Sequence, residues 1–107
     1  MFTRVVEIHT KQGKARDFST TLNEKVMPIL RKQSGFVDEI TLVSNTEPDR
    51  ILALSFWQSE QDAQRYHNEQ FHTVTNLLQS LLETPPQVQT FNVDTSTTHH
   101  IAKGKAA

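Results

Sequence analysis

Two hydrophobic periods alternate along this chain. Phe2 to Thr10 holds Val5, Val6 and Ile8 and reads as a strand. Lys11-Gln12-Gly13 is a turn. From Lys14 the spacing becomes helical, with Phe18, Leu22, Val26 and Ile29 falling on one stripe. Pro28 removes a backbone donor inside this pattern and is expected to distort the last turns. Gly35 suits the left-handed residue that ends a helix, and Phe36 opens the next apolar run. Phe36 to Ser44 is the second strand, and Asn45 to Asp49 carries turn formers. Arg50 to Trp57 is the most apolar stretch and reads as a central strand. Ser59 starts a second helix, with Asp62 placed as in a capping box of the shorter acid. Ala63, Tyr66, His67, Gln70, Phe71, Val74, Leu77, Leu78 and Leu81 recur at helical spacing until Thr84-Pro85-Pro86 stops them. Val88 to Asp94 is the last strand.

The order strand, helix, strand, strand, helix, strand predicts an α+β fold of the ferredoxin-like kind, an antiparallel sheet with two helices on one face. One domain is expected over residues 1–95, with a polar tail at 96–107. In the central strand both alternating sets are largely apolar: Ile51, Ala53 and Trp57 on one side, Leu52, Leu54 and Phe56 on the other. A strand with one solvated face alternates more cleanly. The second face is therefore expected to be covered by the like face of another copy, in a C2 homodimer.

Composition narrows the chemistry. With 107 residues, 11 basic against 12 acidic side chains and a net charge of -1, nothing steers nucleic acid or an anionic membrane. The absence of cysteine excludes a disulfide framework, a thiolate metal site and a cysteine nucleophile. No apolar run has the length of a signal peptide or a membrane span, so a cytoplasmic protein is expected. Three glycines leave no room for a phosphate-binding loop, and no nucleophile elbow or zinc helix is present.

Several segments, taken in order, resemble the antibiotic biosynthesis monooxygenase family. They are Pro28-Ile29-Leu30-Arg31 before Gly35-Phe36, the strand end Phe56-Trp57, the helix start at Ser59, and the clusters Tyr66-His67 and Phe71-His72. The resemblance spans roughly Phe2 to Val93. It implies a barrel of two sheets in a homodimer. It also implies, for some members, oxidation of aromatic compounds by O2 with neither metal nor flavin. Haem-degrading members carry an asparagine, a tryptophan and a histidine where this chain has Val6, Tyr66 and Asn76, so haem degradation is not expected. Many members place a small residue and a proline between the aromatic clusters. Glu69 and Gln70 stand there in this chain, which leaves the bend of the second helix open.

The candidate catalytic residues are Tyr66, His67 and His72: a phenol and two imidazoles able to donate or take a proton. His67 and His72 point about 140° apart on a straight helix, so they cannot share one metal, and no metal or other cofactor is expected. A bend near Asn68 to Gln70 would turn His72 inward. Trp57, Phe71 and Phe18 are candidate walls for a flat organic ligand, a small aromatic or apolar molecule. His9 is a candidate ligand contact, paired with Glu7 on one face of the first strand. Each has a plainer reading: histidines bonded to backbone, aromatics that only fill a core, and a Glu7–His9 pair standing in solvent at the strand edge. The enzyme reading has two rivals, a non-catalytic binder of small molecules and a structural homodimer.

Overall fold

The computed structural model describes residues 1–101. Four strands, β1 (Phe2–His9), β2 (Phe36–Val43), β3 (Arg50–Trp57) and β4 (Gln87–Asn92), form one sheet in the order β2-β3-β1-β4. All three pairings are antiparallel, as the ferredoxin-like reading requires. β4 stops two residues short of the expected Asp94.

Strand alternation assigns the two faces. Arg4, Val6 and Ile8 of β1 lie opposite Ser55, Ala53 and Ile51 of β3 and point toward the helices. Phe18, Val26, Ile51 and Trp57 are the large side chains fully buried between sheet and helices. On the other face Val5 lies opposite Leu54, and Leu42 and Ile40 of β2 lie opposite Leu52 and Leu54. No element of the described chain packs on this face over Ile40, Leu42 and Phe91, which are 43%, 47% and 51% exposed. No helix is long and apolar enough to cross a membrane among the described residues.

Both helices depart from the regular rods that the periodicity suggests. The first consists of α1 (Ala15–Thr21), a π-helical turn (Leu22–Val26) and α2 (Met27–Arg31). The distortion thus lies upstream of Pro28, not in the turns after it. Pro28 occupies an opening position of α2, where its missing N–H costs little. The wider π turn absorbs the mismatch and keeps Leu22, Val26 and Leu30 buried. The second helix is broken into α3 (Glu60–Glu69) and α4 (Phe71–Leu78), and a 3-10 turn follows at Gln79–Leu81. The break is at Gln70, whose backbone leaves the helical region at φ -125, ψ -23.

One corner pins these pieces together. Gly35 has φ +79, and a Cβ there would overlap the carboxylate of Asp62. Its carbonyl accepts from the Gln58 N–H at 2.8 Å. Ser59 caps α3 by accepting from the Asp62 N–H at 3.2 Å and donating to Asp62 Oδ2 at 2.9 Å. The end of the first helix and the start of the second are thereby locked side by side. Of the expected tail, residues 96–101 are described and 102–107 lie outside the described residues. His99 reaches back to the outer sheet face, 3.7 Å from Asp38 and with its ring 6.4 Å from that of Phe56.

Candidate active site

The even positions of β1 read Phe2, Arg4, Val6, Ile8, and alternation alone drives Arg4 inward with its apolar neighbours. The residue is only 3% exposed. Its guanidinium carbon lies 4.5 Å from the centroid of Phe71 and 5.0 Å from that of Tyr66, a cation held against two aromatic faces. Its Nη2 donates to His67 Nδ1 at 3.0 Å. Arginine has no acceptor, so this bond assigns the His67 proton to Nε2. Among the described residues no carboxylate lies within ion-pairing distance of Arg4.

The break at Gln70 creates this arrangement. α3 delivers Tyr66 and His67 from above, and α4 restarts with Phe71 turned under them. The Phe71 ring stacks on His67 at 5.2 Å and meets the edge of Tyr66 at 6.2 Å. Tyr66 in turn stacks on Trp57 at 5.0 Å. The break occurs without a proline, at Gln70.

Two spaces meet at Arg4. One is a narrow, largely apolar cleft of about 50 Å³ between sheet and helices, whose wall includes Phe18, Glu39, Ser55, Tyr66, Phe71 and Thr75. The other is an open groove of about 300 Å³ between α3 and β4, lined by Phe2, Ala63, His67, Val88 and Thr90 among others. The electrostatics follow from burial. Desolvation lowers the Arg4 pKa from the usual arginine value and raises that of the Tyr66 phenol, and the proximity of each group partly offsets the other's shift. Burial, seconded by the Arg4 charge, lowers the His67 pKa, which favours the neutral imidazole. Burial raises the Glu39 carboxyl, although the Thr41 hydroxyl donates to it at 2.7 Å.

The residues expected to form a site are not all brought together. Phe18, Tyr66 and Phe71 line the cavity, and His67 stands in the groove against Arg4. Trp57 lies behind Tyr66, fully buried and outside the cavity wall, with its indole N–H donating to Ser55 Oγ at 2.9 Å. His72 does not turn inward despite the break. The restart of α4 brings Phe71 to Arg4 and leaves His72 exposed in a separate surface depression with Asn76 and Pro85. His9 is on the outer sheet face, where it and Arg50 each bond Glu7 Oε2 at 3.0 Å. Arg4 and Glu39 were missed. Arg4 had a legible signal, a lone cation in step with Val6 and Ile8; Glu39 had none, since β2 mixes polar and apolar residues on both faces. Among the described residues no cluster of three or more histidines and carboxylates could hold a metal ion.

The model of the antibiotic biosynthesis monooxygenase family matches residues 1–77 of this sequence. The chain belongs to that family. No curated protein matches it at a significant level. Among solved structures, it is similar to the cofactor-independent oxygenase SnoaB from Streptomyces nogalater, with 16% identity, a TM-score of 0.76, and 92% of this chain and 97% of that one covered. A Streptomyces coelicolor monooxygenase in complex with nanaomycin D shares 18% identity at a TM-score of 0.76, covering 89% of this chain and 88% of that one. A Nitrosomonas europaea protein of unknown function is as similar in shape, with 18% identity, a TM-score of 0.74, and 90% and 91% of the two chains covered. At these identities the likeness of this family member to the three structures is one of fold.

Proposed function

We propose that this protein is a monooxygenase of the antibiotic biosynthesis type, acting on a small aromatic or quinol-like compound where cavity and groove meet at Arg4. The observation that supports it is the Arg4–Tyr66–His67 cluster, polar groups converging on an aromatic-walled space in a chain of this family. The inner cleft, about 50 Å³, is smaller than an aromatic ring requires, so a substrate enters from the groove and displaces the Phe71 ring. The substrate, once deprotonated, supplies the electrons for O2. For a phenol the balance is one phenol and one O2 giving one quinone and one water, with no resident metal or flavin required. Tyr66 and His67 hold and move protons at the substrate oxygen, and Arg4 stabilises the charge that develops there. His72, in its own depression, and His9, on the outer face, have no place in this step.

The same proposal includes a cytoplasmic homodimer. Its support is the uncovered apolar strip of Ile40, Leu42 and Phe91 on the outer sheet face. Oxygen uptake with a panel of dihydroxyaromatics and quinols tests the activity. The expected result is turnover in the native protein and a loss of at least tenfold in Tyr66→Phe. A thermal shift with these compounds and no oxygen use by any of them would favour the second reading, a non-catalytic binder.

A further inference from the structure

We infer that Arg4 is an oxyanion anchor, and that the groove between α3 and β4 takes its aromatic ligand as the anion, phenolate or carboxylate, in place of the neutral molecule. This deepens the proposed function and rests on it. A buried guanidinium normally has a carboxylate beside it, because a lone charge loses several kcal/mol of hydration that only a counter-charge restores. Arg4 is 3% exposed, and its partners are two rings, one imidazole nitrogen and the neutral Tyr66 phenol, whose hydroxyl it can hydrogen-bond. These spread the charge without cancelling it. The other charged or titratable groups around it form no ion pair with it. Glu39, on the cavity wall, is beyond ion-pairing distance. Tyr66 is biased by burial toward its neutral form. Glu60 stands exposed at the groove rim, also beyond ion-pairing distance of Arg4. The guanidinium therefore has no counter-charge within ion-pairing distance among the described residues.

Size and shape say how the anion arrives. The groove of about 300 Å³ is roughly twice the space that benzene occupies in an engineered protein cavity. Phe2 and Val88 give it apolar walls, and Arg4 and His67 close its inner end. An aromatic anion lying in it places its oxygen at Arg4 Nη2, taking the position of His67 Nδ1 as acceptor. The exposed His67 side chain can rotate away, so the exchange trades a neutral acceptor for a charged one, which makes a stronger bond.

The test uses 4-nitrophenol, whose phenolate absorbs visible light, with nitrobenzene as its neutral counterpart and benzoate as the carboxylate arm. The protein is expected to lower the apparent pKa of bound 4-nitrophenol by about one unit or more, seen as a phenolate band at a pH where the free compound is neutral. Benzoate should compete with it, and nitrobenzene should bind at least tenfold more weakly than the phenolate. In Arg4→Met the pKa shift should vanish while nitrobenzene affinity holds, and Arg4→Lys should keep part of the shift. Circular dichroism of both variants confirms that they fold, and the competition among the three probes needs no variant. Equal affinity for phenolate and nitrobenzene, or an undiminished shift in Arg4→Met, overturns the anion anchor and removes Arg4 from the proposed step, while the oxygenation by way of Tyr66 and His67 still stands on its own oxygen-uptake test. Failure of all three probes to bind overturns both.

Discussion

The two faces of the sheet carry the same kind of residue and meet opposite fates. Inside, Ile51 and Trp57 are wholly buried, yet the strand beside them delivers a charge into the same layer at Arg4. Outside, Leu42 and Phe91 are about half exposed, and charged groups stand at the two ends of the face, where Glu7 holds both His9 and Arg50 and Asp38 meets His99. Apolar area that stays wet adds nothing to the stability of one copy, whereas a charge that is dried weakens it. Each face thus stores a debt that something else must settle, a second copy on one side and a ligand on the other.

Truncating the same chemistry on each face gives the largest contrast. Trp57→Ala removes stacking on Tyr66 and contact with Phe36, and opens a hole beside the cavity. It is expected to cost about 3–5 kcal/mol in urea unfolding. Leu42→Ala, on the wet face, is expected to cost less than about 1 kcal/mol in dilute protein, where association contributes nothing. Equal costs at the two positions would mean that the outer face is already covered in one copy, and the comparison would fail.

Charge on the outer face is the next largest effect. Leu42→Lys combined with Phe91→Lys is expected to weaken self-association at least tenfold by sedimentation equilibrium, or about 1.4 kcal/mol or more. The circular dichroism of the variant should match that of the native protein, since neither residue is in the core. A protein that is monomeric before the substitution would remove the homodimer from the proposal without touching the inner face.

Arg4→Met should show a smaller and unusual effect. Losing the cation–π contacts destabilises, while relieving a buried charge that has no ion-pair partner stabilises, so the net change in urea midpoint is expected within about 1 kcal/mol of zero. A large loss would mean that Arg4 is chiefly structural.

The fold was legible because the 3.6 period is plain in Phe18 to Ile29 and the short apolar runs at Val5 to Ile8 and Ile51 to Trp57 stand between turn formers. Gly35 was legible because its backbone angle and the nearness of Asp62 exclude any side chain. The site was only half legible. Tyr66 and Phe71 announced themselves as aromatics on the apolar stripe. His72 misled, because spacing counts residues along a helix and does not say which one a break will turn inward. The break itself has no proline or glycine to announce it, and Arg4, which meets the residues on both sides of it, stands on a strand more than sixty residues earlier. Arg4 is a lone cation among the inward residues of β1, whereas Glu7 and His9, which do pair, stand on the other face.

The smallest effects have opposite signs on the two faces, which makes acidity a test of the comparison itself. On the inner side Glu39 has its pKa raised above 4.5, chiefly by burial. A raised carboxyl contributes stability that is full below the unfolded value and is lost as pH rises through the folded one. Glu39→Gln should therefore unfold at higher urea than the native protein at pH 7, with the gap closing below about pH 4.5. On the outer side Glu7 has its pKa lowered below 4.5, first by the Arg50 hydrogen bond and then by the Arg50 and His9 charges. A lowered carboxyl contributes stability that is present above the unfolded value and lost as pH falls through the folded one. Glu7→Gln should thus unfold at lower urea at pH 7 and converge with the native protein in strong acid, and salt should shrink its effect because the cluster is solvated. If both variants moved in the same direction at pH 7, the carboxylates would not be distinguished by the faces they stand on.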